Sequence, residues 1–109
     1  MSVPSPSYAV VWREGEGPRY LGRLERSGES AHLEGRSPVD RWRSRWIRLE
    51  DISEVRIGRS EPERIAGRRS LVVELSHGPR FVISHLGGDD ALHELADLLL
   101  APTDGGRAA

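Results

Sequence analysis

Residues 70–100 read SLVVELSHGPRFVISHLGGDDALHELADLLL, and the change of period inside this stretch decides the fold. Leu71, Val73 and Leu75 alternate, as do Phe81 and Ile83, which predicts two strands. Ser76-His77-Gly78-Pro79 between them is a hairpin turn. Gly87-Gly88 then breaks the sheet. Asp89 or Asp90 caps a helix, where a carboxylate suits the positive end of the dipole. Ala91, Leu92, Leu95, Leu98 and Leu99 fall on one helical face, with Asp90, His93, Glu94 and Asp97 on the other, and Pro102 stops the helix. A helix this short is marginal alone, so its leucine face must be buried against the sheet.

Upstream the period is two throughout. Tyr8, Val10 and Trp12 mark a first strand, Tyr20 to Arg26 a second with a bend at Gly22, and Ala31 and Leu33 a short third. Trp42 to Leu49 is a fourth, with Trp42 and Trp46 on one parity and Ile47 and Leu49 on the other. Residues 50–53 are a corner, and Val55 and Ile57 form a fifth strand. Residues 58–67 read as a polar loop. The expectation is mainly β with one C-terminal α-helix: seven antiparallel strands in a partly open barrel or two packed sheets, capped by the helix. Pro/Ser-rich residues 1–7 are a disordered lead, residues 8–101 the domain, and residues 102–109 a disordered tail.

The strand count before a single helix, the segment Ile47-Arg48-Leu49-Glu50-Asp51-Ile52-Ser53-Glu54-Val55 and the hairpin Ser70 to His85 running through Gly-Gly into the helix resemble the pleckstrin-homology-like superfold in its small bacterial versions. The resemblance spans nearly the whole ordered chain. It implies fold more than function, because this superfold hosts unrelated binding roles. It further implies two candidate sites. One is a groove between the fifth strand and the helix, where relatives accept peptides by strand addition. The other is a loop mouth where lipid-binding relatives grip phosphates. Here the first loop carries Glu14 and Glu16, and Arg23 is followed by Glu25 rather than by a basic-x-Arg pair. The phosphoinositide pattern is therefore not met. A weaker anion site from Arg13, Arg19, Arg41, Arg43, His77 and Arg80 stays open as an expectation.

The 109 residues carry 16 basic and 17 acidic side chains, so no global field favours nucleic acid. All the basic residues are arginine; Lys, Asn, Gln and Cys are missing, as a GC-rich, bacterial genome would impose. Without cysteine there are no disulfides, thiolate metal sites or cysteine nucleophiles. No nucleophile elbow, P-loop, dinucleotide fingerprint or zincin motif occurs, and His32, His77, His85 and His93 are scattered. The reading is no enzyme, no metal and no cofactor. No apolar run is long enough to span a bilayer, so at most weak peripheral membrane contact and a cytoplasmic location are expected.

The informative feature is charge placement. Residues 36–48 hold Arg36, Arg41, Arg43, Arg45 and Arg48 against Asp40 alone, interleaved with Trp42 and Trp46. A second cluster, Arg56, Arg59, Arg64, Arg68 and Arg69, is diluted by Glu61 and Glu63. Residues 89–104 hold five acids and no arginine. The simplest reading of the Arg/Trp segment is a covered sheet face with arginines stacked on indoles. The functional reading is a protein interface anchored by Trp42, Arg43, Arg45, Trp46 and Arg48, since Trp and Arg dominate hot spots. The opposed charges suit a head-to-tail contact between copies, so the partner is another protein or a second copy.

Overall fold

The structure is a computed structural model and describes residues 7–39, 42–87 and 91–100. The proposed helix caps Asp89 and Asp90, the stop at Pro102, and nearly all of the expected lead and tail lie outside these residues. The strands are β1 (Ser7–Glu14), β2 (Tyr20–Ser27), β3 (Ser30–Arg36), β4 (Arg43–Arg48), β5 (Ile52–Ile57), β6 (Leu71–Leu75) and β7 (Phe81–His85), followed by helix α1 (Leu92–Leu100). They form one antiparallel sheet in the order β4-β3-β2-β1-β7-β6-β5, curled into a half-barrel. β4 and β5 are its two edges, joined by a 3-10 turn at Leu49–Asp51. That turn is pinned on both sides, Leu49 N–H donating to Glu29 O at 2.9 Å and Ser76 N–H to Asp51 O at 2.8 Å.

The inward parity builds the core. Register aligns Trp12 with Tyr20 and with Ile83, Leu24 with Leu33, Ala31 with Ile47, and Leu71 with Ile83. All of these are buried in one cluster with Val10, Val73 and Phe81. Trp12 stacks on Tyr20 with ring centroids 4.8 Å apart. Its indole Nε1–H donates to Glu34 O at 3.1 Å, which satisfies the polar atom of a fully buried ring. The bend expected at Gly22 is a close approach of two backbones. Gly22 pairs with Gly35, and a Cβ on Gly22 would lie 1.8 Å from Glu34 O. Only glycine lets β2 and β3 converge there.

The helix closes the half-barrel as the leucine pattern requires. Leu92, Leu95 and Leu99 are buried in the core, Leu98 is half-buried, and His93, Glu94 and Asp97 face outward. α1 packs against β5, β6 and β7. From the other half of the sheet, Arg26 donates to Leu98 O at 3.0 Å. A cation on a carbonyl near the helix C-terminus is the favourable sense of the dipole.

Two elements depart from the sequence reading. β3 runs through Gly35 to Arg36 and is not short. β5 starts at Ile52 and not after the corner, because the 3-10 turn uses Leu49–Asp51 and a register shift between Ile52 and Glu54 hides the alternation. Among the described residues no helix is long and apolar enough to cross a membrane.

Candidate functional site

Among the described residues, the outward face of β2, β3 and β4 carries the exposed side chains Leu21, Trp42 and Trp46. His32 lies between Glu25 and Trp46 in register, Glu34 between Arg23 and Ser44, and Leu21 is opposite Arg36. Trp46 is 60% exposed and stacks on the His32 ring, centroids 4.2 Å apart and planes 12° from parallel. His32 Nε2 shares a 2.7 Å hydrogen bond with Ser44 Oγ, which fixes the imidazole beneath the indole. Glu34 binds Arg23 in the next row. Trp42 is 54% exposed, with the Arg36 guanidinium 5.9 Å from its ring centroid. Leu21 beside Arg36 is 59% exposed. Both elements of the sequence reading are therefore present: one stacked arginine, and two open indoles.

The pleat divides the interface candidates. Trp46 and Arg48 face outward, and Trp42 reaches the same side through Arg36. Arg43 and Arg45 have the opposite parity, opposite Gly35 and Leu33, and point into the loop mouth. Arg45 Nε donates to Glu14 Oε1 at 2.5 Å. Arg43 lies 5.7 Å from the Tyr20 ring centroid. With Gly17, Pro18 and Pro79 these groups line a shallow cavity of about 220 Å³.

The anion-site candidates do not gather at that mouth. Of the six, Arg43 lines it. Arg19 and His77 are exposed side chains outside its lining, and Arg41 lies outside the described residues. Arg13, opposite Val82 in register, has outward parity and bonds Pro62 O, and Arg80 bonds Glu63, so both turn away from the mouth. Glu14 occupies the mouth as the sequence suggested, and it holds Arg45.

Arg13 and Arg80 lead to a feature that sequence reasoning missed. Residues 58–70 are not a free polar loop. They form a strap across the outward face of β1, β7 and β6. Arg13 donates to the carbonyls of Pro62 and Arg64. Ser84 Oγ donates to Arg69 O at 3.0 Å, and Gly58 N–H to Ser70 O at 2.9 Å. Ile65 N–H donates to Ser70 Oγ at 3.1 Å. The strap turns back through Ala66 and Gly67, both at positive φ, closed by an Ile65–Arg68 bridge. Ile65 is 1% exposed, and the cross-strand pair Val72–Val82 is fully buried although it has outward parity. None of the three belongs to the main core. They make a second apolar layer under the strap. The signal was in the sequence: Leu71-Val72-Val73 and Phe81-Val82-Ile83 are unbroken apolar runs, which mean cover on both faces.

Charge locks the strap. Arg56 grips Glu63 with two hydrogen bonds, 2.9 and 2.6 Å, and Glu74 with one of 3.2 Å. Arg80 adds a 3.3 Å bond to Glu63, and Arg59 N–H donates to Glu63 Oε1 at 3.0 Å. The Arg56 guanidinium, helped by the Arg59 amide, pulls the Glu63 carboxyl down from 4.5 to about 2. Glu63 in turn raises Arg56 above its ordinary value. The acid that diluted the second arginine cluster on paper is consumed inside this network.

No protein-family model matches the chain, and no curated protein matches it.

Proposed function

We propose that the chain is a non-catalytic binding module whose partner is a protein, docked on the outward face of β2, β3 and β4. The observation that carries this reading is the pair of open indoles, Trp46 on edge strand β4 and Trp42 just before it, beside Arg36. An indole removed from water buries on the order of 150–250 Å², and such anchors flanked by arginine dominate protein interfaces. Among the described residues β4 has a neighbour only on its β3 side, so its other edge offers main-chain partners to an added strand. We read the half-barrel and its helix as a pleckstrin-homology-like architecture, a scaffold suited to binding. The loop mouth is less favoured as an anion site, because Glu14 already neutralises Arg45 there and Arg13 and Arg80 hold the strap.

The test begins with the chain itself as partner. Sedimentation velocity across a wide concentration range should show association in the wild type that Trp46→Ala weakens. Acrylamide should quench Trp42 and Trp46 freely in the monomer while Trp12 stays protected. A monomer at every concentration removes self-association and leaves a different protein as the partner. Indoles at Trp42 and Trp46 as protected as Trp12 in that monomer would overturn the reading altogether.

A further inference from the structure

Between β5 and the strap lies a cavity of about 790 Å³, within the usual range for small-molecule sites. Its wall carries Arg56, Arg59, Arg64 and Arg69 against the single carboxylate of Glu54. Arg56 is spoken for by Glu63 and Glu74. The other three are not: among the described residues, the side chains of Arg59, Arg64 and Arg69 make no hydrogen bond or ion pair. Arg64 Nε is moreover a buried donor without an acceptor. Arginine forks without a partner on the wall of a concavity are ready to receive an oxyanion.

We infer that this cavity binds a phosphate ester, held by Arg59, Arg64 and Arg69. Three unpaired arginines on the wall of one concavity repel each other, and an anion among them relieves that repulsion. Each presents a planar fork matched to the oxygens of a phosphate, where a lysine would offer a point charge. The cavity is several times the volume of one phosphate group, and Ile57 is the apolar side chain in its lining. The ligand is therefore a phosphate carried on a polar body, such as a sugar or polyol phosphate, free or as a lipid headgroup. The strap that supplies Arg59, Arg64 and Arg69 is anchored to the sheet at Glu63, Ser70 and Ser84, so the site is built on a fixed frame. It is separate from the indole face, lying at the opposite edge in strand order.

The experiment is a titration of the full chain with inorganic pyrophosphate, followed by NMR of backbone and arginine Nε–Hε signals against a chloride control of equal ionic strength. Saturable shifts are expected at Gly58, Arg59, Arg64 and Arg69. The double variant Arg59→Ser, Arg69→Ser should bind at least about tenfold more weakly, as loss of charge-assisted hydrogen bonds requires. Arg19→Ser, an exposed arginine outside the linings of both cavities, should bind as the wild type does. A second arm measures co-sedimentation with phosphatidylcholine vesicles, with and without phosphatidic acid. Capture by the acidic vesicles that the double variant loses identifies a headgroup as the source; pyrophosphate binding without capture identifies a soluble ester. Shifts no larger than those in chloride together with no capture overturn the inference. So does binding that the double variant retains in full while its spectrum shows a folded protein.

Discussion

The two halves of this sheet obey the same pleat and end differently. On the β5-β6-β7 side the outward apolar residues, Val72 and Val82, are fully buried because the chain covers them with its own strap and Ile65. On the β2-β3-β4 side the outward apolar residues are larger, Leu21 and Trp46, and nothing in the described chain covers them. Ordering a strap of this length costs backbone entropy of roughly 1–2 kcal/mol per residue, so it persists only with strong anchors. The charge network around Glu63 and the buried Ile65 supply them. The comparison teaches that a cover is built where the chain has one to give. Large exposed indoles mark the half that the described chain leaves uncovered.

The first way to break the comparison is to remove the same kind of apolar contact on the covered side. Ile65→Ala should destabilise the domain by about 2–5 kcal/mol, as core truncations do. At this size that lowers Tm by roughly 10 °C or more. Urea or thermal unfolding measures it directly. A cost under about 1 kcal/mol would mean that the strap lies loosely and that the two halves are not different in kind.

Glu63→Gln tests the anchor by charge alone. Glu63 has a folded-state value near 2 against an ordinary value of 4.5, so it favours the folded state above its unfolded value. That stability is lost as pH falls from about 4.5 through about 2. The wild type should therefore melt above the variant at neutral pH, and the two Tm curves should converge as the solution is acidified across that window. Parallel curves over the whole range would show that the Arg56–Glu63–Arg80 network contributes nothing in solution. The prediction is of intermediate size, because these groups are partly solvated and surface pairs are screened.

Much of this was legible in the residues, for reasons that can be located. All seven strands and the helix follow from the switch between period two and period 3.6, which the inward residues Val10, Trp12, Leu71, Val73 and Leu92 carry plainly. The bend at Gly22 was readable because glycine inside a strand marks a close approach. The parity that parts Arg43 and Arg45 from Trp46 was also there, and grouping them in one interface overlooked it. The strap was harder. Its anchors join residues that are distant in sequence, such as Arg13 with Pro62 and Glu63 with Arg80, and no local pattern reports such pairs. The free arginines of the cavity were hidden for the same reason: Glu61 and Glu63 look like their counter-charges until Glu63 is seen to serve Arg56 and Arg80.

The smallest effect is the sharpest contrast. Trp46→Ala deletes a side chain larger than that of Ile65, yet it should change the stability of the monomer by no more than about 0.5 kcal/mol. Trp46 is 60% exposed, and its described ring contact is the His32 stack. Aromatic stacking adds about 0.5–1.5 kcal/mol beyond area, and the solvent exposure of this pair puts it at the low end; His32 keeps its hydrogen bond to Ser44 without it. The same substitution should remove a large share of the acrylamide-accessible fluorescence, since Trp12 is fully buried. A loss of stability comparable to that of Ile65→Ala would place the indole in a structural role, and the bare half of the sheet would then be as self-sufficient as the covered one. Near-neutral stability with lost quenching, by contrast, leaves Trp46 with an exposure that the folding of the monomer does not explain. Under the proposed reading, that exposure serves the docking of a partner.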